Sequence, residues 1–350
     1  LKRGIFTFTP NPVLDLGGSV KHVIPNEKVY VHDETRSPGG NGINAARIID
    51  RLGAHVMLSG FLGGGVGDEV QKLLDKEKLR TRFIPIQADT RIGITVSSLD
   101  SHTQTRLSFP GPHIRPIEKA AFVKMYDSIP SGSLVLLGGS LPPGFGVGEV
   151  RKMLHHLQKK NIGLIVDVPA KALKELLFAG ASPSRRHVKP RALLIKPNLA
   201  EFQELTGTKV RSIAEVVKKA REFTTHVPLI CVSSVEGGAL LVSAEDAWFG
   251  RIPKVKINSV VGAGDSMVGA IAVQLWKQIK TQGPVGTSHG TMADLAPGRT
   301  GEWLRWGLAA SCASLSHRGT DLGTAAEIKK YYKLTKVRRI ETTTRKAPHE

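Results

Sequence analysis

Two glycine-rich stretches, each running into a helical pattern, carry the residue types that could do chemistry in this 350-residue chain. The first is Val261-Gly262-Ala263-Gly264-Asp265, followed by an apolar helical pattern through Leu275. Glycines ahead of a helix allow close backbone approach, and first-turn amides without intrahelical acceptors favour an anion in front of them. Asp265 falls in that first turn, where an acid also suits the helix dipole. Beside an anion-binding amide cluster the same carboxylate could accept a hydroxyl proton while the amides stabilise a transferring phosphoryl group. On the residues alone both explanations stay open.

The second stretch is Ser37-Pro38-Gly39-Gly40-Asn41-Gly42-Ile43-Asn44-Ala45-Ala46-Arg47. Gly40, Gly42 and Ala45 satisfy the degenerate G-x-G-x-x-A dinucleotide fingerprint, but residues 32–37 are polar rather than a buried strand, and no acid sits about twenty residues on. A polar floor made by Gly39, Gly40 and the Asn44 amide, able to hold sugar hydroxyls, suits these residues better. No Walker-type G-x-x-x-x-G-K-[ST] occurs, so phosphoryl transfer would need another kind of nucleotide site.

The elements that must position these motifs follow from the hydropathy pattern. Apolar runs at 4–9, 56–60, 134–138, 164–168, 192–195 and 229–233 read as buried strands, and 42–52, 68–78, 147–159 and 212–224 carry the 3.6-residue period. The alternation predicts a parallel sheet covered by helices on both faces. Residues 19–36 and 81–109 read instead as a small β-rich flap, and 281–301, rich in Gly, Pro and Thr, as a surface loop.

Composition narrows the class. Lys and Arg outnumber Asp and Glu by 49 to 30, hydrophobic residues make up 41% and charged residues 23%, which is a foldable composition with a basic excess. Residues 328–350 hold eight basic against two acidic side chains and read as a solvated tail; Arg185, Arg186, Lys189 and Arg191 read as a solvated loop. Aromatic residues are not interleaved with these charges, which disfavours nucleic acid as a partner. Cys231 and Cys312 read as buried thiols, and no Cys/His pattern suits a structural metal. No apolar stretch approaches the roughly 18 residues that span a bilayer, and the opening residues carry no long apolar run, so the expectation is a cytoplasmic protein without membrane contact.

Three further strings occur in order: Thr9-Pro10-Asn11-Pro12 with Asp15, Gly138-Gly139-Ser140-Leu141-Pro142-Pro143-Gly144, and Lys196-Pro197-Asn198-Leu199-Ala200-Glu201. With the two glycine motifs they resemble the phosphofructokinase B family, the ribokinase-like sugar kinases, from Gly4 to about Tyr332. The resemblance implies an α/β fold, a three-layer αβα sandwich with a mostly parallel central sheet and a β-flap acting as a lid. The kinase domain would be residues 1–332, with a basic tail at 333–350.

The same resemblance implies roles. Asp265 would be the base on the acceptor hydroxyl, with the amides of Gly262, Ala263 and Gly264 as the anion hole. Asn198 and Glu201 match the Asn-x-x-Glu motif that positions Mg²⁺ through water, although a pair so spaced is also an ordinary helix cap. Lys196 would reach nucleotide phosphates, the turn from Ser233 through Val235 to Gly238 would contact ATP, and His317 to Gly319 would meet the adenine. Asp15, Gly39, Gly40 and Asn44 match positions that hold sugar hydroxyls, and Lys28, Arg91 and Ser140 match those that hold an existing phosphate in the minor 6-phosphofructokinase branch. Arg106 is left unassigned. Tyr30, Val235 and Asn41 depart from the pattern and blur the substrate.

The implied reaction is ATP-dependent phosphorylation of a ketohexose phosphate, with fructose 6-phosphate to fructose 1,6-bisphosphate as the first expectation. Fructose 1-phosphate or tagatose 6-phosphate is the alternative acceptor, and a polyanion-binding protein that kept the kinase fold is a distant one. The cofactors would be ATP and Mg²⁺, with K⁺ left open. An exposed flap has unpaired edges that a second copy would cover, so a homodimer through the flap is expected.

Overall fold

The computed structural model describes residues 1–101, 103–178, 192–282, 299–317, 319 and 321–341. In chain order the strands are β1 (Ile5–Thr9), β2 (Val13–Val20), β3 (His32–Gly39), β4 (Val56–Gly63), β5 (Ile84–Ile86), β6 (Arg91–Ser98), β7 (Thr103–Ser108), β8 (Leu134–Gly138), β9 (Gly163–Asp167), β10 (Leu194–Ile195), β11 (Leu229–Val235), β12 (Gly238–Val242), β13 (Ala247–Arg251) and β14 (Lys336–Arg339). The helices are α1 (Asn41–Arg51), α2 (Gly64–Lys76), α3 (Pro116–Asp127), α4 (Val147–Lys159), α5 (Ala170–Phe178), α6 (Leu199–Thr206), α7 (Ile213–Phe223), α8 (Ala263–Gln282), α9 (Thr300–Leu315) and α10 (Ala325–Leu334).

One ten-stranded sheet runs β14-β13-β12-β11-β10-β9-β8-β1-β4-β5. From β11 to β5 the pairs are parallel, and β12, β13 and β14 add an antiparallel edge. Both faces are apolar because side chains alternate. In β8, Val135 and Leu137 join Phe8, Phe61, Phe122 and Phe145 in one layer, while Leu134 and Leu136 join Ile43, Val268 and Leu308 in the other. The first layer is tight, with the Phe8 and Phe122 rings 4.4 Å apart. On the opposite face α8 packs between α1 and α9, which buries their small and aliphatic residues.

This topology fixes where a ligand can sit. The chain leaves β1 toward β4 and β5 on one side and later fills β8 through β11 on the other, so the strand order reverses at β1 and β8. Crevices outside the carboxyl ends of parallel strands at such a reversal are the ligand positions of open α/β sheets. Asn11 follows β1, Gly139 and Ser140 follow β8, Asp167 ends β9, and Lys196 follows β10.

The flap differs from its sequence boundaries. It is a four-stranded sheet, β3-β2-β6-β7, that begins at Val13 rather than at residue 19. Residues 84–86, expected in the flap, are β5 and extend the main sheet beside β4. The basic tail also needs correction, since Lys336–Arg339 pair with β13 and Arg339 forms an ion pair with the buried Asp246. Charged side chains on such an edge strand discourage further pairing. The basic cluster at 185–191, residues 283–298 of the expected surface loop and residues 342–350 lie outside the described residues. Among the described residues no helix is long and apolar enough to cross a membrane, and Cys231 and Cys312 are free and buried.

Candidate active site

α1 and α8 bring the two glycine motifs together. The helical ladder of α8 begins where Ser266 N donates to Gly262 O at 2.8 Å. The amides ahead of it, from Gly262 to Asp265, therefore have no intrahelical acceptor. Gly262 has φ +74°, and a Cβ there would also strike Leu322, so only glycine fits this turn. Hydrogen bonds to α9 pin the segment in place, from Ser311 Oγ to Ala263 O at 2.6 Å and between the Ser266 and Ser314 hydroxyls at 2.6 Å.

Asp265 lies in the first turn of α8. Asn44 Nδ2 donates to its Oδ2 at 2.8 Å. Burial, together with the nearby Asp167 carboxylate, pushes the Asp265 pKa up to about 6, eased by the Asn44 bond, Lys196 and Arg106. A carboxyl with that value is ionised at neutral pH yet basic enough to take a hydroxyl proton. Lys196 does not project into open space. It is buried, 3.3 Å from Asp167 Oδ1, and its Nζ lies 3.1 Å from where a Cβ on Gly264 would stand. Burial acts to lower its pKa, but Asp167 and Asp265 outweigh that and hold it above the ordinary lysine value. Lys196 thus underlies the glycine turn as a fixed positive charge.

Asp15 sits on β2 between β3 and β6. A Cβ on Gly39 would stand 1.9 Å from its Oδ2, and one on Gly93 would stand 2.7 Å from its Oδ1, so glycines on both neighbouring strands make room for this carboxylate. Burial raises the Asp15 pKa, and the charges of Arg106, Arg91 and Arg47 act against the rise. Gly40, with φ +122°, immediately precedes α1.

Beyond Asp15 a cleft of about 900 Å³ is lined by Arg91, Ser108, Phe109, Pro110, Ser140 and Gly144. Asn11 ties its walls together. Its Nδ2 donates to Ser140 Oγ at 3.0 Å and to Pro110 O at 2.9 Å, and its backbone oxygen accepts from Arg91 Nη2 at 3.2 Å. Arg91 Nη1 also donates to Phe109 O at 3.1 Å. The cleft therefore presents a guanidinium and a hydroxyl side by side, a pairing suited to an anionic group. Lys28 does not join them. It is exposed on the β2–β3 connection, its ammonium 4.7 Å over the Tyr30 ring, and does not line this cleft.

On the nucleotide side the structure separates the expected residues. Asn198 and Glu201 form a reciprocal cap on α6, with Glu201 N on Asn198 Oδ1 at 2.9 Å and Asn198 N on Glu201 Oε2 at 2.9 Å. Capping uses one carboxylate oxygen and leaves Oε1 of Glu201. One carboxylate oxygen beside an amide fits Mg²⁺ that keeps most of its waters and takes its other ligands from phosphates. Among the described residues no group of three or more His, Cys, Asp or Glu could form a denser metal site.

Ser233 is buried on β11 and bridges to Asn198, which places the nucleotide turn beside that cap. The turn bulges at Ser234, Glu236 and Gly237, all with positive φ. Val235 points into the core, so a nucleotide could meet only its backbone. Gly238 has a structural reason of its own, because a Cβ there would stand 1.9 Å from Gly250 O across the β12–β13 pair. His317 is held between Asp321 at 2.8 Å and Glu327 at 3.0 Å, so both ring nitrogens are engaged. Gly319, exposed with φ +56°, follows it.

Known proteins resemble the chain over most of its length. The model of the pfkB family of carbohydrate kinases matches residues 13–324. The chain belongs to that family. As a pfkB carbohydrate kinase it transfers a phosphoryl group to an alcohol. It is 30% identical to the 1-phosphofructokinase of Bacillus subtilis over 79% of this chain and 86% of that protein. It is 29% identical to the ATP-dependent 6-phosphofructokinase isozyme 2 of Escherichia coli over 94% of this chain and 97% of that one. The solved structure of phosphofructokinase-2 from Escherichia coli in complex with fructose-6-phosphate superposes with a TM-score of 0.80 at 28% identity, covering 95% of this chain and 99% of the other. The pfkB kinase described here thus keeps the ribokinase-like α/β fold over nearly its whole length.

Sequence reasoning assigned no role to Asp167, which pairs with Lys196, or to Asn11, which holds Ser140. A local signal existed only for Asn11, inside the Thr9–Pro12 string.

Proposed function

We propose that this chain is an ATP-dependent kinase of a phosphorylated ketohexose, with fructose 6-phosphate as the preferred acceptor and fructose 1,6-bisphosphate as the product. The observation that carries the reading is the hydrogen bond by which Asn44 of one glycine motif donates to Asp265 of the other. Asp15 feels the charge of Arg91, which lines a cleft together with Ser140.

In this reading Asp15 and the Gly39–Gly40 backbone hold sugar hydroxyls, and Arg91 and the Ser140 hydroxyl hold the existing phosphate. Asn11 leaves the Ser140 proton free to donate, since it is itself the donor in their bond. Asp265 accepts the proton of the attacking hydroxyl, and the amides of Gly262, Ala263 and Gly264 stabilise charge on the transferred phosphoryl group. Asn198 and Glu201 would hold Mg²⁺ through water, where the ion neutralises phosphate charge. Ser233, the backbone at Val235 and the segment at Gly319 border the ATP. Lys196 acts from beneath, by charge. Lys28 takes no part within one chain's cleft.

The flap carries exposed apolar side chains, among them Val23, Tyr30, Val31, Leu99 and Leu107. Their burial against a second flap supports a homodimer. Use of cellular ATP, with both thiols free, favours the cytoplasm. The similarity to a 1-phosphofructokinase favours fructose 1-phosphate as the second reading, with tagatose 6-phosphate beside it. Turnover measured across these acceptors tests the proposal: preference for fructose 6-phosphate supports it, and preference for an unphosphorylated sugar overturns it.

A further inference from the structure

Asn44 and Arg47 stand one turn apart on α1, and together with the partly exposed Glu77 they form a hydrogen-bonded chain that ends on Asp265. The Arg47 side chain is 5% exposed. Its Nη1 donates to Asn44 Oδ1 at 3.0 Å. Its Nε and Nη2 donate to the two oxygens of Glu77 at 2.7 and 2.6 Å. Glu77 is the C-terminal cap residue of α2, thirty residues away in sequence.

We propose that Arg47, clamped by Glu77, is a positioning residue for the catalytic base: it locks the Asn44 side-chain amide so that an N–H, and not the oxygen, faces Asp265. The inference rests on the reading that Asp265 is the base.

A carboxamide can turn over with little change in shape, so packing alone does not decide which end meets a neighbour. A guanidinium has donors only, and the atom it faces must therefore be the Asn44 oxygen. The nitrogen is then directed at Asp265, where it donates at 2.8 Å. Turned the other way, the amide oxygen would face an ionised carboxylate and repel it. The lock itself needs a held cation. A buried guanidinium with no counterion would be costly, and a bidentate carboxylate supplies both charge and direction. Glu77 does this while leaving Nη1 for Asn44.

The groups that face Asp265 come from several elements: Asn44 from α1, Asp167 from the end of β9, Lys196 after β10 and Arg106 from β7. Of these Asn44 alone is a neutral dipole whose sense can reverse. The Arg47 charge also bears on Asp15, so its loss reaches the sugar end too.

The test is the pH dependence of kcat, with ATP, Mg²⁺ and the sugar phosphate that the wild type turns over fastest. It compares wild type, Arg47→Gln, Arg47→Lys, Glu77→Gln and Asp265→Asn, with thermal unfolding alongside. Arg47→Gln is expected to lose about tenfold to a hundredfold in kcat, the scale of a misplaced reacting group, with KM for ATP unchanged. Its acid limb moves to higher pH, because an ionised base that loses a donor is harder to ionise. Arg47→Lys recovers part of the loss, and Glu77→Gln shows a smaller shift in the same direction. Should Arg47→Gln fail to fold, Glu77→Gln at its partly exposed site carries the test. The proposal is overturned if the limb stays at the wild-type pH and kcat falls only with the folded fraction, while Asp265→Asn is inactive. An active Asp265→Asn would instead remove the reading on which the proposal rests.

Discussion

Asn44 and Asp265, 221 residues apart in the chain, meet through a 2.8 Å hydrogen bond between the first turns of α1 and α8. That bond joins the two glycine motifs into one site. It also sets the chemistry, because it acts, with Lys196 and Arg106, against the rise that burial and Asp167 impose on this carboxylate.

The first consequence is a pH limb. With the Asp265 pKa near 6, turnover should be level above about pH 7 and fall about tenfold per unit below pH 6 as the base takes a proton. A kcat profile measured from pH 5 to 8 checks this, with a limb near the ordinary aspartate value as the opposing result.

The same shift bears on stability. An aspartate whose pKa is raised by folding stabilises the fold fully only below its unfolded value, 3.8, and that contribution is lost as pH rises through about 6. Asp265→Asn should therefore be more stable than wild type at pH 7.5, by of order 1–3 kcal/mol, with the difference vanishing near pH 4. Thermal unfolding at the two pH values reads it directly.

Room for Asp15 depends on having no side chain at Gly39, where a Cβ would stand 1.9 Å from the carboxylate. Gly39→Ala should displace Asp15 and lower kcat/KM for the sugar phosphate about tenfold or more, with KM for ATP little changed. Steady-state kinetics in both substrates separate the two effects.

In the cleft lined by Arg91 and Ser140, Arg91→Ala removes a charge-assisted contact worth roughly 1.5–3 kcal/mol. KM for the sugar phosphate should rise by about one to two orders of magnitude. Asn11→Ala should give a smaller rise, because Ser140 loses the partner that orients it. KM for ATP should be unaffected in both, which a side-by-side KM determination would show.

Ending the chain after Leu334 removes β14 and the Arg339 partner of Asp246, and should lower Tm by about 2–4 °C for each kcal/mol lost.

Legibility in the sequence followed the range of the interaction. β8 and α4 occur where an uninterrupted apolar run and a 3.6-residue period placed them, at residues 134–138 and 147–159, because those patterns are local. The flap was cut too short at its start because the Gly17-Gly18 pair in β2 weakens the strand pattern. β14 was taken for tail because Lys-Val-Arg-Arg is charged, and only its pairing with β13 makes it a strand. Lys196 was expected to reach nucleotide phosphates, and its pairing with Asp167, at a strand end 29 residues earlier, gave no sign in the sequence. Asn198 and Glu201 turned out to cap α6, a role their spacing had allowed. Glu77 gave no local sign at all, since its partner comes from another helix.

The most direct test of the account is ADP release with ATP and Mg²⁺ across fructose 6-phosphate, fructose 1-phosphate, tagatose 6-phosphate, free fructose and ribose, for wild type and Asp265→Asn. The account expects turnover on one sugar phosphate above the rest, fructose 6-phosphate first, and a loss of about 10²–10⁴-fold in the variant, the usual worth of a general base. Activity confined to unphosphorylated sugars, or a variant as fast as the wild type, would contradict it.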